Sequence, residues 1–193
     1  MSKPLVHIEL DEKSAAHVRQ ALKEYDKDSE GAIMRAILLL GKNIEVGAKM
    51  RLNGMLGSAK HWVTGRLANS IHTETKTVNT YGEIKIGKSP EVTGANDGNL
   101  GIPVGELEAV VGTNVEYAAD IEFGHPEKII TPVNAKALRF KPKGSNTYIF
   151  RKKAVIPASS GESFLQWAAN NRGKNFAKLV KQEINKETDR FNK

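Results

Sequence analysis

From Ile33 to Ala48 the residues Ile33, Ala36, Ile37, Leu40, Ile44, Gly47 and Ala48 recur at helical spacing and form one apolar stripe. The stripe predicts a helix that starts at the Asp28-Ser-Glu cap and runs to about Leu52. Its apolar side has to be covered, so the rest of the chain must be built against it. Gly41 and Gly47 lie inside this helix. Glycine weakens a helix interior, so another segment is expected to pack closely at both positions.

The remaining periodicities supply the covering elements. Leu5 to Leu10 alternates as a short strand, and residues 11 to 25 read as a helix with acids in its first turn. Residues 53 to 63 read as a loop, and Thr64-Gly-Arg-Leu-Ala-Asn-Ser-Ile71 as a turn or short helix. Residues 72 to 78 and 83 to 86 are expected to pair as a hairpin around Asn79-Thr-Tyr-Gly82. Residues 106 to 113, 127 to 131, 136 to 140 and 147 to 155 read as strands. From Ser163 to about Phe191 the pattern is helical, with Phe176, Leu179, Val180, Ile184 and Phe191 on one side. There is no internal repeat and no βαβ alternation. The expected fold is α+β: an antiparallel sheet packed against the long helix in the N-terminal half and a C-terminal helix, as one domain over residues 1 to 193. With 193 residues, 39% of them hydrophobic, the chain is long enough for one core of ordinary size.

Several function classes drop out. The chain has no cysteine, which removes disulfides, cysteine-ligated metals and thiol catalysis, and fits a reducing cytoplasm. No run of eighteen apolar residues is present, so no membrane partner is expected. The opening MSKPLVHIELDEK has no apolar core of signal-peptide length. No histidine has a partner at metal-ligand spacing. Ser159-Ser-Gly is not a nucleophile elbow. Gly94 to Gly105 lacks the Gly-Lys-Ser/Thr ending of a phosphate-binding loop.

Val111-Gly-Thr-Asn-Val-Glu-Tyr-Ala-Ala-Asp-Ile-Glu-Phe-Gly-His125 gathers a tyrosine, three carboxylates and a histidine. Asp120, Glu122 and His125 are the residue types a Mg²⁺ site would need. On a helix, however, positions two apart point about 200° apart and do not share an ion. The expected reading is structural: Tyr117, Ile121 and Phe123 anchor the turn in the core, and the acids face water or a partner. No metal or other cofactor is expected.

The net charge of +7 points to nucleic acid or an acidic protein surface as partner. Its distribution says more. Residues 106 to 127 hold Glu106, Glu108, Glu116, Asp120, Glu122 and Glu127 without a lysine or arginine. Residues 134 to 161 hold Lys136, Arg139, Lys141, Lys143, Arg151, Lys152 and Lys153 without an acid. Such blocks either pair within one molecule or join copies head to tail. The basic block reads as a hairpin turning at Lys143-Gly-Ser-Asn146, with Tyr148 and Phe150 among its cations. Between the strands, the glycine-rich stretch Gly87 to Gly105, with Asn96, Asp97 and Asn99, is a long loop. Loops of that length in a compact domain are usually functional, and contact with a neighbouring subunit is the expectation.

Four segments in order carry a resemblance: Thr64 to Ile71, Val111 to Gly124, Asn134-Ala-Lys-Ala-Leu-Arg-Phe140, and Phe150-Arg-Lys-Lys-Ala-Val155 leading to Phe164-Leu165. With the preceding core helix and the closing helix, over roughly residues 30 to 180, the chain resembles the tail-completion, or head–tail joining, proteins of long-tailed bacteriophages. It departs from them at Ile121, His125 and Ser163. The resemblance implies a structural virion protein without catalytic activity, made in the host bacterial cytoplasm. It implies a homo-oligomeric ring, of six copies, at the neck, where head-closure (connector) and tail-terminator or tail-tube proteins are the partners and genomic DNA passes nearby. The interfaces are then expected at the loop (Asn96, Asp97, Asn99), the acidic block (Glu116, Asp120, Glu122) and the basic hairpin (Arg139, Lys141, Lys143, Arg151, Lys152, Lys153). The alternative is a DNA-binding or nuclease-like protein of a mobile element.

Overall fold

The structure, a computed structural model, describes residues 5–9, 11–13, 15–16, 28–55, 65–86, 94, 96–141 and 145–191. The long helix, α1, spans Asp28–Leu52. All seven residues of the stripe are buried along it, each large aliphatic contributing roughly 1.5–3 kcal/mol. The two glycines sit where neighbours come close. A Cβ on Gly41 would lie 2.5 Å from Thr73 Cγ2, and one on Gly47 would lie 3.1 Å from Arg172 Cγ.

A three-stranded antiparallel sheet packs on α1. Its strands are β1 (Leu5–Glu9), β2 (His72–Glu74) and β3 (Glu108–Gly112), in the order β1-β3-β2. Val6, Val111 and Thr73 stand opposite one another in one cross-strand row, and Val111 belongs to the α1 core. Helix α2 (Arg66–Ser70) precedes β2. Helix α3 (Ala118–Phe123) follows β3. Helix α4 (Phe164–Arg172), a 3₁₀ turn at Gly173–Asn175 and helix α5 (Phe176–Phe191) close the chain against α1. Phe164, Leu165 and Ala168 of α4 complete the core with Ile44, Ala48 and Leu52. The expected α+β architecture is therefore present. No helix among the described residues is long and apolar enough to cross a membrane.

Three local expectations are corrected. The hairpin about Asn79–Gly82 does not form. Strand β2 ends at Glu74 and the turn closes early, because Thr75 Oγ1 accepts the Val78 N–H at 3.0 Å and the Thr75 N–H reaches the Val78 carbonyl at 2.8 Å. Residues 84 to 86 form no strand; instead the Ile84 carbonyl accepts from Lys49 Nζ of α1 and the Ile86 carbonyl from Nδ2 of Asn53, the residue after α1. The single strand expected at 147 to 155 is two, β6 (Ile149–Arg151) and β7 (Ala154–Ile156), separated at Lys152-Lys153 where the chain changes partner. The C-terminal helix is interrupted at Gly173–Asn175. Of the helix expected at 11 to 25 only fragments at its start are described, and most of the loop at 53 to 63 lies outside the described residues.

Candidate functional site

Strand β4 (Lys128–Ile130) pairs antiparallel with β7, and β5 (Leu138–Phe140) with β6. These two ribbons form an arm that departs from the body after α3 and returns at α4. Not one described residue between Pro126 and Ser160 is buried. Isolated two-stranded ribbons are marginal in water, and this arm presents Ile129 (62% exposed), Ile130, Val133, Tyr148, Phe150, Val155 and Ile156 to solvent.

The arm is rooted at a crossing of two backbones. His125 and Ser159 exchange both N–H···O bonds, at 3.0 and 2.9 Å. Beside them the carbonyls of Ile121 and Glu122 accept the Glu162 and Ser163 amides, at 2.7 and 3.0 Å. The Glu122 carboxylate then accepts the Leu165 and Gln166 amides, each at 2.9 Å, and so caps the N-terminus of α4, where a negative charge is favourable.

This corrects the expectation for the acidic stretch at three residues, while Ile121 packs against the core as expected. Glu122 is 2% exposed while Phe123 is 62% exposed, and Tyr117 too is exposed. In a six-residue helix Ala118 and Glu122, four apart, share the buried side, and Phe123 points away. Asp120 pairs with Lys128 at 2.6 Å, and His125 Nδ1 lies 2.8 Å from the Pro126 carbonyl. Asp120, Glu122 and His125 therefore do not converge on an ion. Among the described residues the group with metal-ligand geometry is His7, Glu9 and Glu108, a cross-strand set at the β1–β3 ladder that spacing along the chain could not reveal.

The described part of the glycine-rich loop is held from within the chain. Asp97 is buried and takes two bonds from the Arg66 guanidinium, at 2.9 and 2.7 Å, plus the Gly94 amide at 2.6 Å. Leu100 is fully buried and its amide donates to Glu74 at 3.1 Å. Asn96 and Asn99 are not buried; the Asn96 carbonyl accepts from Asn114, and Asn99 Oδ1 from the Gly101 amide. Asp97 is thus an internal anchor rather than a surface contact, and the loop from 96 to 105 needs no neighbouring subunit to hold it. Residues 87–93 and 95 lie outside the described residues.

The Arg66 hydrogen bonds hold the Asp97 carboxyl below the usual carboxylate range, against the opposing effect of burial. A folded-state value below the unfolded one, about 3.9, gives stabilisation that is present above that pH and lost as pH falls through the folded value. Amide protection at Asp97 and Leu100 is accordingly expected to be constant from about pH 7 to 5 and to fall below about 4. Arg66→Lys, which replaces a two-bond fork by a point charge, is expected to speed exchange at both amides about tenfold at neutral pH. Hydrogen exchange measures this; unchanged rates would show that the loop has another anchor.

Among the described residues the acidic and basic blocks do not pair with each other. Glu106 meets Lys76, Glu116 meets Arg66, and Asp120 meets Lys128. Among the described residues no carboxylate pairs with Arg139, Lys141, Arg151, Lys152 or Lys153, all of them exposed; Lys143 lies outside the described residues. Eight of the chain's 29 basic residues and none of its 22 acids lie between Lys128 and Gly161, which leaves 21 against 22 elsewhere. The net positive charge of the protein is the charge of its arm. Comparison of the chain with protein-family models, with curated proteins and with solved structures finds no match.

Proposed function

We propose that this chain is a structural assembly protein, without catalytic activity, that works as a ring of its own copies at the head–tail junction of a long-tailed bacteriophage. The observation that carries the assembly reading is the arm. It exposes aliphatic side chains on both faces of the β4–β7 ribbon: Ile129 and Val155 stand opposite one another on one face, Ile130 and Ile156 lie on the other. An apolar surface of this kind without a covering layer marks a protein contact, and open ribbon edges are templates for pairing with another chain. The place at the junction rests on the resemblance of the four ordered segments, and so do the ring of six and the connector and tail partners.

Two outcomes test the reading. In a lysate of phage lacking the gene, filled heads should stand beside separate finished tails; normal tailed particles would remove the junction role. In solution, Ile129→Glu with Val155→Glu should convert an oligomer to the 21.2 kDa monomer, read by light scattering. Neither side chain is in the core, so the monomer should keep the wild-type circular dichroism spectrum and unfold cooperatively. A wild-type chain that is monomeric at every concentration would sink the ring.

A further inference from the structure

We propose that the β5–β6 ribbon is a binding site for single-stranded nucleic acid, with Tyr148 and Phe150 as base-stacking groups. The inference stands on the geometry of this ribbon and does not rest on the ring. In the observed register Arg139 faces Phe150, while Leu138 faces Arg151 and Phe140 faces Ile149. Alternation puts Tyr148 on the Arg139–Phe150 side, and the Arg139 guanidinium lies over the Tyr148 ring, 3.7 Å from its centroid. That face therefore carries three flat groups: two aromatic rings and a guanidinium plane. Phe150 is 60% and Tyr148 49% exposed. The other face is more covered, with Leu138 and Phe140 half-buried.

Lys141 continues the Arg139 side of the ribbon, Arg151 lies on the other face opposite Leu138, and Lys152 and Lys153 follow directly after β6; all four are exposed and none has a carboxylate partner among the described residues. Exposed aromatics among unpaired cations are what a single strand needs, because unpaired bases stack on rings while phosphates meet the charges. The charge distribution decides between this occupant and a second copy of the chain. The acids of residues 106 to 122 are already engaged, by Lys76, the Gly105 amide, Arg66, Lys128 and the N-terminus of α4, so a neighbouring body offers the arm little free negative charge, whereas a phosphate backbone carries one charge per nucleotide.

The test is fluorescence anisotropy with a labelled oligothymidine of about twenty nucleotides and with a duplex of the same length, at several salt concentrations. Wild-type protein should bind the single strand more tightly than the duplex. Tyr148→Ala with Phe150→Ala should weaken single-strand binding at least tenfold at fixed salt, from a stacking contribution of about 1–3 kcal/mol per base, and leave the salt slope unchanged. Lys152→Gln with Lys153→Gln should flatten that slope by about 0.7 for each phosphate no longer neutralised. All four residues are exposed, so an unchanged thermal midpoint shows that each variant folds. Equal affinity for duplex and single strand, with no effect of the aromatic variant, would reduce the surface to loose electrostatics and overturn the site. So would absence of binding at low salt, or an aromatic variant that changes oligomeric mass but not oligonucleotide binding. A ring variant that adds no charge, Ile129→Ser/Val155→Ser, is expected to keep single-strand binding, so the two readings fail separately.

Discussion

Lys49→Met is expected to destabilise the protein by about 3–5 kcal/mol, because it leaves a carboxylate buried without its countercharge. Glu45 has no exposed surface at all. Its Oε1 accepts from Lys49 Nζ at 2.7 Å, and its Oε2 from the hydroxyls of Thr73 and Thr80 at 3.0 and 2.6 Å. Lys49 also donates to the Ile84 carbonyl at 2.6 Å. Burial pulls the Lys49 ammonium below its ordinary range, and Glu45 opposes that shift. The network joins α1 to β2 and to the segment after it, so the loss acts on stability and on the seating of residues 80 to 86. For a domain with about 5–15 kcal/mol in total the change is large, and at about 2–4 °C per kcal/mol it lowers the thermal midpoint by roughly 10 °C. The double variant Glu45→Leu/Lys49→Met removes both charges and should recover part of the loss. Thr80 Oγ1 can turn its hydrogen to the Thr73 carbonyl, 3.4 Å away, whereas the buried Thr73 hydroxyl and the Ile84 carbonyl lose the partners they have now. Thermal unfolding followed by circular dichroism checks both; a single variant within about 1 kcal/mol of wild type would mean that water reaches Glu45.

How far such features can be read along the chain depends on the distance over which they are determined. The α1 stripe is local, because a 3.6-residue period shows which side is apolar whatever covers it. The two glycines inside it imply close neighbours, and Thr73 and Arg172 are those neighbours. Glu45 and Lys49, by contrast, look like an ordinary exposed pair four residues apart; only the hydroxyls of Thr73 and Thr80 and the Ile84 carbonyl, far along the chain, make burial tolerable. Glu122 escapes a sequence reading for the same reason. Its role as cap of α4 depends on residues 162 to 166 arriving beside it, which no window around Asp120 can show. The ribbons are legible as strands but not as an arm. Alternation in Leu138-Arg-Phe140 implies a half-buried ribbon, and Leu138 and Phe140 are its half-covered side while Arg139 is exposed; that no described residue of the two ribbons is fully buried is visible only in the fold. The segregation of charge is visible along the chain; that the described residues of the two blocks do not neutralise each other requires the fold.

Gly124→Ala is expected to be the most damaging substitution at the root of the arm, and a series of glycine variants separates the causes. Gly124 has φ 81° and ψ −179°, a region populated essentially by glycine alone, where another residue carries strain of about 1–3 kcal/mol. A Cβ there would also lie 2.1 Å from the Ser159 carbonyl oxygen and 2.7 Å from the Gly161 amide nitrogen. Those are backbone atoms of the crossing strand, so relief requires moving the strand rather than turning a side chain. Gly161 is the reciprocal case, with φ 79° and a Cβ 2.5 Å from the Gly124 nitrogen. Gly82 has a similar φ of 77° but open space around it, so Gly82→Ala should show backbone strain alone, about 1 kcal/mol. Gly173 is in the right-handed helical region with open space, and its alanine variant should be neutral or stabilising by up to about 1 kcal/mol. Gly124→Ala should exceed Gly82→Ala by at least about 2 kcal/mol, since separating the strands breaks the His125–Ser159 pair and withdraws Glu122 from α4. Hydrogen exchange localises the damage: the Leu165 and Gln166 amides, which donate to Glu122, should lose protection in Gly124→Ala and keep it in Gly82→Ala. Equal behaviour of the two variants would show that the crossing opens at little cost, and the arm would then be hinged to the body rather than fixed to it.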